Sequence, residues 1–438
     1  MLRHGGYGNA VALGERAVAI AREIGDERAQ VNSLSRLTIL DANRLRLDRA
    51  LVQGREALEI ARRQNDEEVT GLALDGLKLA ELELGELSEL ERHCEELVEI
   101  HRRRGDAFFL SWALLESAQA PLARGNLGEA LARADEALTL NRKLGDRSDE
   151  PLFLDTHCWI HRAWGDYSRA LELGRRAHAL AAELGRGEWE GWTAATLGWI
   201  LLELRSASEA VSVLEAGAAA AHAEEATGEV LRCTAHLAWA AWLLGEHERA
   251  LTLADQATGM IQGITVPPGG AWLFGSHAQL AVARVRLEAG DRSAAAAIAR
   301  PLLEAAERAG WQEPLAAAGS VAARCERDPD AAGRLLGRRS RGRPAGRTLR
   351  GGLGGAPRAR AASGGRGACR GGRGLAERRA RRPRRRYRGG CTGGRTPARG
   401  NRRVGCGRPC QTSNRCARSA TTSAPSARSR RRSRRRTT

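Results

Sequence analysis

The sequence predicts an all-α solenoid of stacked helical hairpins, followed by an Arg/Gly-rich segment with no fold of its own. Three observations predict it. Turn-like heptapeptides recur every 40 residues, a second set of turns lies 20 residues after the first, and the composition changes abruptly at Arg338.

The recurring heptapeptide is clearest at Gly165-Asp166-Tyr167-Ser168-Arg169-Ala170-Leu171. It returns 40 residues earlier, from Gly125 to Leu131, and 80 later, from Gly245 to Leu251. The same frame gives Gly5–Val11, Leu45–Leu51, Gly85–Glu91 and Arg205–Val211. It resumes at Gly290–Ala296 after a five-residue insertion near Val266-Pro267-Pro268-Gly269-Gly270. Repeats of this length signal stacked supersecondary units. The second anchors are Gly25, Gly105, Gly145, Gly185 and Gly310, with Asn65 and Glu225 in two other places. Glycine supplies a left-handed helix end, and the Asp or Asn after it starts the next helix. The stretches between turns are predicted helices roughly 25 Å long.

The helix after each first turn carries small residues on one face. Ala50 and Ala57, Ala130 and Ala137, Ala170 and Ala177, and Ala250 and Ala257 share it with Gly54, Cys94, Ala134, Gly174 and Ala254. Their spacing of four and seven positions is that of one helical face. Small side chains there let a neighbouring helix approach closely.

The order Gly165-Asp166-Tyr167, Ala170, Gly174, Ala177 resembles the second half of a tetratricopeptide (TPR) unit, and Leu197-Gly198 resembles part of the first half. The resemblance covers residues 5–336, with a period of 40 where the usual TPR unit has 34. Long units of this kind are similar to the MalT-like TPR regions of bacterial LuxR-type transcription activators and related signalling ATPases. The resemblance implies a right-handed α-solenoid that binds a protein, a peptide or a small apolar ligand. It also implies that the first helix of each unit lines a concave groove. Trp159, Trp199 and Trp239 are 40 apart, at a position that faces the groove in TPR units. Trp112 and Trp192 fall on another such position, Trp242 on a third, and Arg162 shares the place of Trp242. These seven residues form the candidate partner-binding groove. The other reading packs the rings between units. An open groove predicts that Trp199→Ala weakens partner binding without lowering the melting temperature.

Seven two-helix units are expected from about residues 27, 67, 107, 147, 187, 227 and 271, with a further first helix from Gln312. Neither end of the array carries a capping pattern, which is expected of a fragment of a longer regulator.

Residues 1–337 hold 37 basic and 51 acidic residues, whereas residues 338–438 hold 33 Arg and the single acid Glu377. The net charge of +18 therefore describes neither part. The second segment is too poor in apolar residues to fold. Three readings stand for it. A GC-rich gene read out of frame explains the break inside a helix. A disordered nucleic-acid-binding tail is the second, with Arg binding phosphates but only Tyr387 available to stack on bases. A zinc site of Cys391, Cys406, Cys410 and Cys416 is the third, without a CxxC pair.

No catalytic site, metal or cofactor is expected. P-loop, GxSxG, HExxH and dinucleotide-binding glycine patterns are missing from the sequence. His93 next to Cys94 and His157 next to Cys158 do not face each other, since adjacent helix positions diverge. Each is read as a core thiol beside a half-exposed imidazole. Cys94, Cys158, Cys233 and Cys325 stand singly, as reduced thiols do in the cytoplasm. No apolar run approaches the length of a membrane helix, so no membrane partner is expected.

Overall fold

The structure, a computed structural model, describes residues 7–267 and 270–338. The opening helix α1 (Tyr7–Ile24) is followed by helical hairpins in chain order. The first two are α2 (Glu27–Asn43) with α3 (Leu47–Gln64), and α4 (Glu67–Leu84) with α5 (Leu87–Arg104). In the third, the first helix is broken into α6 (Ala107–Ser117) and α7 (Gln119–Ala123), which precede α8 (Leu127–Leu144). Then come α9 (Glu150–Trp164) with α10 (Tyr167–Glu183), α11 (Gly187–Glu203) with α12 (Ala207–Ala223), and α13 (Thr227–Leu243) with α14 (His247–Gln262). The last two are α15 (Ser276–Glu288) with α16 (Arg292–Ala309), and α17 (Gln312–Cys325) with α18 (Pro329–Arg338). Partners within a hairpin pack together, and first helices such as α2 and α4, or α11 and α13, pack on the next unit's first helix. This is the expected α-solenoid. No strand occurs among the described residues, and none of their helices is long and apolar enough to cross a membrane.

The turns are where the period places them. Among the described residues, ten glycines have positive φ, from Gly25 to Gly310, and the four substitutes Leu45, Asn65, Arg205 and Glu225 adopt the same left-handed conformation at φ of 52–64°. The Asp after the turn caps the next helix: Asp26, Asp66, Asp106, Asp166 and Asp291 each accept a hydrogen bond from a backbone N–H two or three residues on.

The small-residue face is buried throughout, with Ala50, Ala57, Ala130, Ala137, Ala170, Ala177, Ala250 and Ala257 all at 0% exposure. At Gly54, a Cβ would lie 3.1 Å from the Leu77 backbone, so α3 and α4 touch through a missing side chain. One unit departs from the pattern. Its insertion leaves residues 263–267 and 270–275 outside any helix, so α15 starts at Ser276 rather than near residue 271.

Both His–Cys pairs sit in the core, and the imidazoles are buried rather than half-exposed. His93 is 2% exposed and faces Glu81 through Nδ1 at 2.8 Å. The His157 Nδ1–H donates to the carbonyl oxygen of Phe153, one turn earlier, and Nε2 lies 2.9 Å from Asp135. Each imidazole thus has partners that a helix-surface position would not supply. Burial drives the thiols of Cys94 and Cys158 far towards the neutral form. The three readings of residues 338–438 fall, beyond Arg338, outside the described residues.

Candidate functional site: the inner aromatic face

The first helices bring four of the seven candidate residues together. Trp159 on α9 and Trp199 on α11 meet edge to face, 5.3 Å between ring centroids. The Arg162 guanidinium lies 3.4 Å above the Trp199 ring and pairs with Glu203 on α11 and Glu313 on α17, each at 2.5 Å. Trp192 reaches the same place from two turns earlier in α11. Its indole N–H donates to Asp155 at 2.9 Å, and Arg232 of α13 stacks 4.3 Å over its ring. Asp155 also accepts from the Thr196 hydroxyl, which in turn accepts from the indole of Trp159 at 2.9 Å. Arg232 also donates to the Thr196 hydroxyl oxygen at 3.5 Å, so three successive first helices are tied by one hydrogen-bonded chain.

The other three stand apart. Trp112 packs edge to face on Phe153, Trp242 lies against His247, and Trp239 is half-buried between the cores of neighbouring units.

The converging rings do not line an open groove. Residues after the insertion fill the space in front of them. Phe274 packs at 5.3 Å from Trp192 and 5.9 Å from Trp159. His277, the second residue of α15, stacks on Trp199 at 3.7 Å. Trp199 is left 4% exposed and Arg162 9% exposed, whereas Trp159 and Trp192 stay half-buried. The open groove expected at Trp199 and Arg162 is corrected accordingly, because the chain's own aromatic residues cover them.

The same segment reaches the opposite wall. The Trp272 indole donates to the carboxylate of Glu83 at 2.5 Å, and the Leu273 N–H donates to the Glu83 carbonyl oxygen at 2.8 Å. Thr265 exchanges backbone hydrogen bonds with Leu45 and Leu47, and its hydroxyl donates to Asp48. Trp311 donates to the carbonyl oxygen of Gly85 at 2.8 Å, and Gly85 has no room for a Cβ, which would fall 2.3 Å from the indole. These hydrogen bonds join residues 189 to 226 positions apart in sequence. The solenoid curls until its second unit touches its last two.

The enclosed face is polar beneath the rings. Burial raises the carboxyls of Glu83, Asp155 and Glu229 to about 7, and the nearby Arg232 charge offsets part of this at each. Burial, reinforced by the charges of Arg162, Arg284 and Arg232, holds His277 well below its usual range. It therefore stacks on Trp199 as a neutral ring. A cavity of 40 Å³ remains beside Phe274, bordered by Gln119, Leu122, Trp159 and Pro314. A larger surface depression of 780 Å³ beside Gly290, Arg300 and Arg327 has no aromatic ring in its wall.

Among the described residues, Glu81, Glu89 and His93 bring possible metal-ligating atoms within 4.8 Å. The Arg92 guanidinium already stands 2.7 Å from His93 Nε2 and pairs with Glu89, so the cluster is internally neutralised.

Sequence reasoning missed Phe274, His277, Glu313, Glu83 and Asp155. The signal for the first two was present. The insertion that breaks the period is followed at once by Trp272 and Phe274, aromatic residues outside the repeat pattern.

No protein-family profile and no curated protein matches the chain. Solved structures do. A Rap protein complexed with Competence and Sporulation Factor superimposes with a TM-score of 0.51 at 12% identity, over 68% of this chain and 85% of that one. The Cut9–Hcn1 hetero-tetramer of the APC/C gives 0.46 at 15% identity, over 74% and 59%. A signal-transduction ATPase with a tetratricopeptide repeat sensor, from Pyrococcus horikoshii, gives 0.42 at 19% identity, over 66% and 43%. The chain is a TPR-like helical-repeat protein. Within that TPR-like frame the first helices carry the rings, and only the curl sets what lies in front of them.

Proposed function

We propose that this TPR-like solenoid is an interaction scaffold that binds a protein or peptide segment on its inner face, as the sensing arm of a bacterial signalling or transcriptional regulator. The observation that carries the reading is the seat of Phe274 between Trp159 and Trp192. An aromatic side chain on a non-helical segment already occupies this face, and aromatic residues dominate the energetics of such contacts. The Rap protein of similar fold, solved with its Competence and Sporulation Factor, supports partner binding as a use of this architecture.

The test is peptide selection from a display library on the full chain. Selected peptides should bind saturably and lose at least about tenfold in affinity to Trp159→Ala or Trp192→Ala, about the effect of a contact worth 1.4 kcal/mol. Both side chains are half-buried, and circular dichroism should show unchanged helicity. Peptides indifferent to both substitutions would place the partner elsewhere and defeat the reading.

A further inference from the structure

We propose that residues Ala271–Gly275 are a built-in ligand of the inner face, and that the external partner is a non-helical segment carrying two aromatic side chains two positions apart. This rests on the peptide-binding reading above and names the chemistry of its ligand.

The segment is foreign to the repeat. It follows the one five-residue break in the 40-residue period and belongs to no helix. Its side chains nonetheless fill two prepared places. Trp272 is 3% exposed and donates its indole N–H to Glu83, and Phe274 is 7% exposed against Trp159 and Trp192. Between them the Leu273 N–H pairs with the Glu83 carbonyl oxygen, a main-chain hydrogen bond of the kind any peptide can make. Gly275 has to be small, since a Cβ there would fall 1.8 Å from the Trp272 ring.

The walls do not depend on the segment for their own structure. Glu83 lies in the last turn of α4, whose end is closed by Gly85, and Trp159 and Trp192 lie within α9 and α11. Releasing Ala271–Gly275 breaks no hydrogen bond inside those helices. The fit also leaves the 40 Å³ cavity at Trp159 and Phe274 unfilled. The buried Glu83 carboxylate sets the ligand's chemistry, since a replacement for Trp272 has to bring a hydrogen-bond donor to it.

A tethered occupant competes at high effective concentration, so the native chain binds an outside copy weakly. The probe is a fluorescein-labelled synthetic peptide of residues 270–276, Gly-Ala-Trp-Leu-Phe-Gly-Ser. Anisotropy is measured against the full chain and against the double variant Trp272→Ala/Phe274→Ala. The expected result is saturable binding to the double variant at least about tenfold tighter than to the native chain, abolished when both aromatic residues of the peptide are Ala. Equal binding to both proteins, or none to a double variant of native helicity, overturns the proposal. Should the double variant not fold, Phe274→Leu keeps the apolar volume and carries the test. It should bind the peptide several-fold more tightly than native, and affinity unchanged from native overturns the proposal. Library peptides that lose affinity to Trp159→Ala yet do not compete with the 270–276 peptide would leave the peptide-binding reading standing and remove this one.

Discussion

Among the described residues, four hold a left-handed backbone without being glycine, and two of them, Arg205 and Glu225, are exposed. A side chain in that conformation costs roughly 1–2 kcal/mol against glycine's freedom from the clash. Arg205→Gly and Glu225→Gly are each expected to raise stability by about 1 kcal/mol, read from urea unfolding midpoints at constant slope. Leu45 is different, because its side chain is 3% exposed and its carbonyl oxygen accepts from Thr265. Trp199 has moved from a groove residue to a core residue. Stacked between His277 and the Arg162 guanidinium, it should cost about 3–5 kcal/mol when truncated to Ala, seen as a lowered melting temperature. An unchanged melting temperature would restore the open-groove expectation.

At the scale of the element, the second helices pack their small faces on first helices and are linked to one another by a ladder of ion pairs. Arg22–Glu56, Arg62–Glu96 and Arg102–Glu136 repeat at 40-residue intervals, at 2.6, 3.1 and 2.6 Å. All these side chains are substantially exposed, so water screens each pair and the ladder sets register more than stability. The two kinds of contact are separable. Arg62→Ala should change the unfolding free energy by less than about 1 kcal/mol. Ala57→Leu, at a site with 0% exposure, should cost about 1–3 kcal/mol through overpacking between α3 and its neighbours. Denaturant titration of the two variants decides whether the small face or the charge ladder holds neighbouring units together.

A solenoid whose units touch only their neighbours unfolds piecewise. Here Trp272 and Trp311 join the second unit to the last two, so the described array closes on itself. The closure encloses carboxyls that ordinarily stay in water. Glu83 has its pKa raised from 4.5 to about 7 in the folded chain. A raised folded pKa means that its favourable contribution is complete below pH 4.5 and is lost as the pH climbs through about 7. Asp155 and Glu229 shift in the same direction. The chain should therefore be less stable at pH 8 than at pH 5.5, and Glu83→Gln should flatten that slope, measured by urea unfolding across the range. A slope unaltered by Glu83→Gln would mean that Glu83 is not buried under Trp272 as the curl requires.

Most of the fold was legible in the sequence because its determinants are local and repeated. Gly165-Asp166 fixes a helix end and the next start by backbone conformation and capping. Ala170, Gly174 and Ala177 fix the face that touches the neighbour, and every 40 residues the statement is made again. The period even marked Leu45 and Arg205 as turn residues despite their poor fit to a turn. The aromatic site was legible only by halves. Trp159, Trp192, Trp199 and Arg162 follow from position within the unit, but Phe274, His277 and Glu313 meet them from 78 to 151 positions away, and Trp272 meets Glu83 from 189 away, only because small rotations accumulate from unit to unit. The sequence by itself determined where the helices run and which faces join them. The tertiary structure alone decided that the array curls far enough for its own insertion to cover its inner face, since no local pattern encodes the sum of those rotations.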